Sequence, residues 1–478
     1  MRILLASSEI HPYSKTGGLG DAVGALGKAL AQAGHEVSLV TPLHRGVREK
    51  FPKLRPVEWR FDLPLGVRHV NAKLLALDVA PRLTVYFIDK PEYFDRAGIY
   101  NDSHGDYGDN AERFIFFSKC VVHLARHLPH KPDVLHVHDW PTGLVPLLVQ
   151  HEHLAGGWHK PPRTCLTIHN LAYQGVFPRA AFQLTNLPAS YFHPETTEFY
   201  NQLNCLKAGI ACADVVTTVS PRYAREITTQ EFGAGLDGLL RKRHHVLHGI
   251  LNGVDYEEWN TAANPLIAAP YSAQNLAGKA VCKAALQAHF GLAVDAGIPL
   301  FGSVTRLADQ KGIDITLGAL EEMLAAPIQF VLLGSGSANY EQAMKHLAHC
   351  HPGKVGLKLG YDHALAHQIE AGCDFFLMPS RFEPCGLNQL YSLRYGTIPI
   401  VRRTGGLDDT VIDATDDAAH ANGIKLFEPA PHALAKAMRK ALLLFQNQEL
   451  LARYRANGMG ANFSWAKAVK EFEAVYTK

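Results

Sequence analysis

The sequence lacks the features that mark disulfide-rich, membrane-spanning or nucleic-acid-binding proteins. Its eight cysteines are spread from Cys120 to Cys385 without a C-x-x-C pair, which indicates buried thiols in a reducing compartment. Lysine and arginine number 47 against 45 aspartate and glutamate, so a nucleic acid or acidic membrane partner is not expected. No apolar run approaches the ~20 residues of a membrane span, and Glu9 and His11 interrupt the apolar start. A cytoplasmic protein is expected.

The chain is long enough for more than one hydrophobic core. Its 478 residues are 47% hydrophobic and 19% charged, a composition that is typical of folded globular proteins. At roughly one domain per ~150 residues, two or three domains are expected. Our initial hypothesis is two large domains.

Apolar strand-like runs alternate with helical patterns in two series, which predicts an α/β fold with two Rossmann-like, doubly wound parallel sheets. The predicted strands of the first series are 3–6, 36–41, 83–88, 134–137, 163–168 and 215–219, and those of the second are 299–304, 329–333, 355–359, 374–378, 398–401 and 423–427. Between the series, residues 260–270 lack periodicity and contain two prolines, which indicates a linker. We expect domains at 1–260 and 261–455, with ligands bound in a deep cleft at the carboxyl ends of both sheets.

A glycine-rich loop follows the first predicted strand. Residues 14–21 read S-K-T-G-G-L-G-D and precede a helix, so backbone N–H groups there are suited to an anion. A tight turn without a ligand is one alternative, but it would not require Lys15 and Asp21. A dinucleotide-binding oxidoreductase is another, but the second strand ends in L-V-T-P at 39–42 without an acidic ribose-binding residue.

Polar clusters follow two further predicted strands of the first series. His136, His138 and Asp139 end one strand, and His169 and Asn170 end another, so all are expected to open into the cleft. Alternating histidines are compatible with a metal. A hydrogen-bonded structural histidine is the favoured interpretation, because no third ligand is evident.

In the second series, cations and one carboxylate occupy loops after strands. Arg306 and Lys311 lie at a strand-loop-helix junction and suit a diphosphate, since arginine forms forked hydrogen bonds and lysine offers a compact charge. A solvated basic surface is the alternative. Glu383 follows a strongly apolar strand, and its carboxylate suits sugar hydroxyls, although an exposed loop glutamate would also fit the pattern.

Five ordered motifs together resemble the bacterial glycogen synthase and plant starch synthase family. They are K-T-G-G-L-G-D at 15–21, H-D-W at 138–140, H-N-L-A-Y-Q-G at 169–175, L-N-G-V-D at 251–255 and E-P-C-G-L at 383–387. The match spans nearly the whole chain. Tyr391 stands where the broader retaining family has a second glutamate, as it does in glycogen synthases. No D-x-D triplet occurs, which argues against the metal-dependent sugar transferases.

The resemblance implies a GT-B fold and transfer of glucose from ADP-glucose to the non-reducing end of an α-1,4-glucan with retention (EC 2.4.1.21). It implies no cofactor and no metal, and a C-terminal segment, 456–478, whose helix returns to the first domain. The implied catalytic residues are Lys15, Asp139, His169, Arg306, Lys311 and Glu383. The implied donor-binding residues are Lys15, Gly17, Gly18, Asp21, Asn252, Arg306, Lys311, Glu383, Cys385, Gly386, Leu387, Thr404, Gly405 and Gly406. The implied acceptor-binding residues are Tyr100, Asp139, Asn170 and Tyr173.

The residues also bear on mechanism. None is an unambiguous nucleophile, although retention in glycosidases normally uses one. We therefore expect front-face transfer, in which the departing phosphate helps to deprotonate the acceptor hydroxyl. A catalytically inactive glucan-binding protein is the alternative, but such a protein would have no need of both phosphate cations and the loop carboxylate.

Overall fold

The computed structural model describes residues 1–477 and divides the chain into two compact units. The first unit contains Met1–Gly253 and returns from Trp465 onward, and the second is Val254–Ser464. The sequence predicts boundaries at 260 and 455, whereas the contacts within the chain place them after Gly253 and after Ser464. The structure assigns 260–270 to the second unit because this irregular segment is packed rather than free: Ile267 and Tyr271 are buried in a cluster with Leu390.

The first unit is built on a large twisted sheet. The strands of that sheet are β1 (Arg2–Ala6), β2 (Glu36–Pro42), β3 (Arg55–Leu65), β4 (Arg68–Ala80), β5 (Leu83–Asp89), β8 (Val134–His138), β9 (Arg163–Ile168), β13 (Val215–Thr218) and β14 (Leu247–Gly249). Two small sheets of the unit are formed by β6 (Asn101–Asp102) with β7 (Gly105–Asp106), and by β10 (Val176–Pro178), β11 (Glu198–Phe199) and β12 (Gln202–Asn204). Its helices are α1 (Gly18–Gln32), α2 (Val47–Lys50), α3 (Pro91–Phe94), α4 (Asn110–His127), α5 (Val145–Leu154), α6 (Cys205–Cys212), α7 (Pro221–Glu226) and α8 (Asp237–Lys242).

The order of the main sheet places two loops beside each other. The order is β14-β13-β9-β8-β1-β2-β5-β4-β3; the pairs from β14 to β5 are parallel, and β3 and β4 add an antiparallel edge. The chain leaves β1 toward β2 on one side and later reaches β8 on the other. The β1 and β8 loops therefore flank the point where the strand order reverses, which is where open α/β sheets bind ligands.

The second unit repeats this architecture on a smaller scale. Its elements are α9 (Ala277–His289), β15 (Leu300–Val304), α10 (Ile313–Met323), β16 (Gln329–Gly334), α11 (Ala338–Cys350), β17 (Val355–Leu359), α12 (His363–Gly372), β18 (Phe375–Met378), α13 (Asn388–Arg394), β19 (Ile398–Arg402), α14 (Gly405–Thr410), β20 (Ile424–Leu426), α15 (Pro431–Gln446) and α16 (Gln448–Gly460). The sheet order β17-β16-β15-β18-β19-β20 is parallel at every pair. Its reversal point lies between β15 and β18, so the prediction of two Rossmann-like parallel sheets is confirmed.

The last helix, α17 (Trp465–Thr477), completes the core of the first unit. Its buried face includes Trp465 and Phe472, which cluster with Ile3 of β1 and Leu26 of α1. Gly253 is required beside it, because a Cβ at this position would lie 2.6 Å from Trp465. The first unit is therefore assembled from both ends of the chain.

Candidate functional site

A buried carboxylate shapes the glycine-rich loop after β1. Glu9 is 3% exposed and accepts hydrogen bonds from the backbone N–H groups of Thr16 (2.5 Å) and Gly17 (3.3 Å). It also accepts hydrogen bonds from the Thr16 hydroxyl at 2.8 Å and the Tyr100 hydroxyl at 2.7 Å. One charged group thus determines the path of the loop where it enters α1.

The glycines of this loop differ in what they are needed for. A Cβ at Gly20 would lie 2.8 Å from the Cβ of Lys15, so the fold itself requires that glycine. Gly17 caps α1 with φ −163°, an extended conformation open to any residue, and a Cβ there would meet no atom within 4 Å. The chain's own packing therefore does not demand Gly17, whereas a ligand approaching the helix start would.

The charged residues of the loop pair with each other. The ammonium of Lys15 lies 3.0 and 3.1 Å from the two carboxylate oxygens of Asp21, and His11 lies 3.8 Å from the same carboxylate. The structure therefore brings together two of the residues that the motif implies, at the surface of the first unit.

Asp139, directly after β8, is held in an uncommon conformation. Its φ is +56°, a region that non-glycine residues rarely occupy and that is found at functional sites. One carboxylate oxygen accepts the backbone N–H of His169 at 2.7 Å, and the N–H of Asn170 also donates to the carboxylate. Burial raises the pKa of Asp139 to about 7. The β8 and β9 loops are thereby joined at one carboxyl group.

Two histidines of these loops, His136 and His138, are buried, and His169 is partly buried. His136 bonds to the Tyr476 hydroxyl at 2.7 Å and the Thr167 hydroxyl at 2.6 Å, which confirms its interpretation as a structural histidine. His138 and His169 bond to each other through Nδ1 and Nε2 at 3.0 Å. Burial lowers the pKa of His136 and of His169 to about 3.

The remaining predicted residues of the first unit lie on separate loops. The side-chain oxygen of Asn170 accepts the N–H of Ala172 at 3.0 Å, and Tyr173 is 53% exposed. Asn252 is buried beyond β14. The hydroxyl of Tyr100 binds Glu9, and its ring packs against Phe114 and Trp140.

In the second unit, the loops that flank the reversal point meet at a shielded ion pair. The ammonium of Lys311, before α10, lies 2.5 Å from Glu383 Oε2, after β18. The two side chains are 19% and 8% exposed, and the Ser380 hydroxyl donates to the same oxygen at 3.1 Å. The pair is therefore mostly shielded from water.

Arg306 lies on the same side of the sheet, at the end of β15. Its guanidinium is exposed and lies 3.5 Å from the side-chain oxygen of Gln310. The amide of Gln310 donates to the carbonyl of Phe382 at 3.2 Å. Gln310 therefore links the Arg306 loop to the Glu383 loop.

The predicted glycines after β19 are explained by close backbone contact. A Cβ at Gly405 would lie 1.9 Å from the carbonyl oxygen of Glu383, and one at Gly406 would lie 2.0 Å from that of Cys385. The N–H of Gly406 donates to the carbonyls of Glu383 (3.2 Å) and Pro384 (3.1 Å). Thr404 caps α14 at this point. The start of α14 thus rests on the Glu383 loop.

The other residues of this loop complete its turn. Gly386 has φ +71°, Cys385 is buried and Leu387 directly precedes α13. Their positions link the Glu383 loop to that helix.

Sequence reasoning did not identify Glu9, Ser380 or Gln310 as site residues. Glu9 follows the first strand after Ser7 and Ser8, so the rule that selected Asp139, a polar residue just beyond a buried strand, would have selected it. No comparable signal marks Gln310, because its role depends on a loop 72 residues away in the chain, at Phe382.

The chain matches two families along its length. Residues 2–242 match the family described as starch synthase catalytic domain, and residues 287–459 match glycosyl transferases group 1. No helix among residues 1–477 has the length and apolar character needed to cross a membrane.

Curated relatives and solved structures agree with these matches. The chain is 48% identical to a glycogen synthase of Anaeromyxobacter dehalogenans, over 100% of this chain and 98% of that protein, and 44% identical to that of Opitutus terrae, over 100% and 99%. The catalytic domain of starch synthase IV from Arabidopsis thaliana, solved with ADP and acarbose, has a TM-score of 0.90 and 33% identity, covering 100% of this chain and 98% of that one. A sucrose-phosphate synthase from Thermosynechococcus elongatus, with a TM-score of 0.62 and 18% identity, shares the fold.

Proposed function

Because this chain belongs to the glycogen and starch synthase family, we propose that it lengthens an α-1,4-glucan by transferring glucose from ADP-glucose to the non-reducing end with retention. The observation that carries the proposal is the 48% identity to a glycogen synthase over the full chain, together with the shielded Lys311 and Glu383 pair at a ligand-binding edge. The solved relative that binds ADP supports an adenine nucleotide as the leaving group.

Arg306 and Lys311 are proposed to bind the diphosphate. Breaking the bond between the anomeric carbon and phosphate builds negative charge on the leaving oxygens, and fixed cations stabilise that charge. Lys311 is already held by Glu383, so its position does not have to be created when the donor arrives. The Glu383 carboxylate is then placed to bind a sugar hydroxyl beside the phosphates.

In the first unit, Lys15 and the open face of Gly17 are proposed as further donor contacts. The start of α1 suits phosphate because the helix dipole and the free N–H groups act in the same direction, and Lys15 adds a cation beside them. Asp21 neutralises Lys15 in the structure, and we propose that the donor phosphate replaces Asp21 as its partner.

Front-face transfer is the mechanism we propose. Asp139 is an unfavourable nucleophile because its carboxylate accepts two backbone N–H groups, and we assign it and His169 to positioning of the reacting sugar. No cofactor or metal ion is required in this scheme. A glucosyl adduct trapped on Asp139 or Glu383 would contradict it.

The test measures incorporation of labelled glucose into glycogen from ADP-glucose and from UDP-glucose. Incorporation from ADP-glucose is expected, and Arg306→Ala should reduce it by about 10²–10³-fold, the effect of removing one transition-state charge contact. Arg439→Ala, which breaks an exposed pair with Glu322 in the same unit, is the matched control and should retain activity.

The outcomes separate the parts of the proposal. Incorporation from UDP-glucose alone would overturn the donor and keep the reaction, and full activity of Arg306→Ala would overturn the phosphate site. No incorporation from either donor would favour a non-catalytic glucan-binding protein. We propose the cytoplasm as the compartment, because all eight cysteines are free thiols.

A further inference from the structure

The second unit holds a cluster of metal-binding side chains that the transfer reaction does not use. Glu258, His363 and His367 each offer one ligand atom, and these atoms lie within 4.8 Å of one another. No other such group of three histidine, cysteine, aspartate or glutamate residues occurs among residues 1–477. The cluster joins the segment at the start of the second unit to helix α12.

Helix geometry places the two histidines on one face. His363 and His367 are four residues apart in α12, so their side chains are neighbours on the helix surface, and their ring centres are 4.8 Å apart. The Nε2 atom of His363 lies 3.6 Å from the Oε1 atom of Glu258. Two imidazoles at this spacing and one carboxylate form a ligand set used by zinc.

The second observation is an unsatisfied nitrogen. His367 is fully buried, and its Nε2 atom has no hydrogen-bond partner. A buried polar atom without a partner destabilises a fold by about 1–3 kcal/mol, so such atoms call for an explanation. A metal ion bound at Nε2 would supply it.

The other ring nitrogens are already held. Nδ1 of His367 lies 2.8 Å from the Tyr395 hydroxyl and 3.0 Å from the amide nitrogen of Asn264. Asn264 also donates to the Tyr395 hydroxyl at 2.8 Å, so when Nε2 binds a metal the Tyr395 oxygen accepts the N–H of Asn264 and the proton on Nδ1. Nδ1 of His363 lies 3.4 Å from the Tyr361 hydroxyl. Partners of this kind orient metal-ligating histidines and set their tautomer.

We propose that Glu258, His363 and His367 form a binding site for a divalent transition metal of the zinc type. The ligand atoms would have to approach to about 3.3 Å of one another around a tetrahedral ion with bonds of ~2.0–2.1 Å. Glu258 and His363 are exposed and can move to achieve this, while His367 is the fixed ligand. Three protein ligands leave the fourth position to water.

Such a metal would hold the segment at the start of the second unit, which contains Glu258, against helix α12. Trp259, next to Glu258, is stacked between His367 (ring centres 4.0 Å apart) and Tyr391 (3.6 Å). Tyr391 belongs to α13, which directly follows the Glu383 loop. The proposed metal therefore acts on the packing around Trp259 and takes no part in the transfer reaction.

The test uses the full-length chain without a histidine tag, stripped with a chelator and titrated with ZnCl₂ by calorimetry. Wild type is expected to bind one equivalent of zinc. His363→Ala and Glu258→Gln should each weaken binding at least about tenfold, and both change exposed side chains, so folding should be retained. Co²⁺ in place of zinc should give visible absorption bands in the wild type that His363→Ala loses.

The matched control is His432→Ala. His432 pairs with Glu428 at 3.1 Å but has no third ligand in the part of the chain that the structure describes, so its loss should leave zinc affinity unchanged. Zinc should also slow amide hydrogen exchange at 254–260 in wild type and not in His363→Ala. Equal zinc affinity in wild type and His363→Ala, or the same protection in both, would overturn the proposal.

Discussion

At the scale of single residues, the buried carboxyl of Asp139 makes stability depend on pH. Its pKa is raised to about 7, whereas an unfolded aspartate titrates near 3.9. Between these values the folded protein holds a proton that the unfolded chain has lost, so stability falls as pH rises from about 4 to about 7. Relative to wild type, Asp139→Asn is expected to gain stability across this interval, by at most about 1.4 kcal/mol per pH unit.

Urea unfolding at several pH values between 4 and 8 measures the difference in the free energy of unfolding between Asp139→Asn and wild type. Asp133→Asn is the control, because hydrogen bonds from Arg2 lower the pKa of Asp133. The difference in the free energy of unfolding between Asp133→Asn and wild type should change with pH only below about pH 4. If the difference in the free energy of unfolding between Asp139→Asn and wild type does not vary with pH, the raised pKa of Asp139 is refuted.

Glu9 provides the second prediction at this scale. The amide of Glu9→Gln cannot accept all four hydrogen bonds that the carboxylate accepts, so the glycine loop should lose its shape. Hydrogen bonds to a charged group contribute about 1.5–3 kcal/mol, and we expect kcat/KM for ADP-glucose to fall about 10–100-fold. Glu36→Gln, an exposed residue 3.6 Å from Arg82, should have no effect. Unchanged kinetics in Glu9→Gln would show that the loop does not need this carboxylate.

At the scale of elements, the start of α14 depends on close contact with the Glu383 loop. Gly405 has φ +44°, and a Cβ there would lie 1.9 Å from the Glu383 carbonyl. Gly405→Ala is expected to lower both the melting temperature and glucose transfer, since the backbone conformation alone costs about 1–2 kcal/mol for alanine and the overlap must displace the loop.

Gly460→Ala is the matched control for this prediction. Gly460 ends α16 in the same unit, and a Cβ there meets no atom within 4 Å, so the melting temperature should stay the same or rise slightly. If Gly405→Ala melted and reacted like Gly460→Ala, the packing of α14 on the loop would not matter for the site.

The largest element that sequence analysis missed is the β3–β4 hairpin. Its burial alternates, with Phe61, Leu63 and Leu65 buried and their neighbours exposed, which is the pattern of a strand with one solvent-facing side. Gly66 turns the chain with φ +64°. Uniformly apolar runs identify central parallel strands, but amphipathic strands at a sheet edge do not form such runs.

At the scale of the whole molecule, the chain builds its first unit from two distant segments. Tyr476 in α17 bonds to His136 in β8, and Trp465 packs over Gly253. Only a resemblance to known proteins indicated that the last helix returns. Its amphipathic pattern shows that one face must be buried, but the pattern does not specify which core receives that face.

The sequence by itself determined six parallel strands of each unit and, through five motifs, the family. Apolar strands and helical periodicity are local properties, so Ile3 in β1 and Phe375 in β18 lie within predicted strands. The loops after those strands carry Asp139, Arg306 and Glu383, because the carboxyl ends of parallel strands share one edge.

Only the tertiary structure decided which side chains meet. Three contacts join residues that are between 72 and 109 positions apart in the chain. They are the hydrogen bond that Tyr100 donates to Glu9, the bond from Lys311 to Glu383 and the approach of His367 to Glu258. Distances of a few ångströms between such residues follow from sheet order and loop path, which depend on the packing of the whole unit. A local pattern in the sequence does not specify that packing.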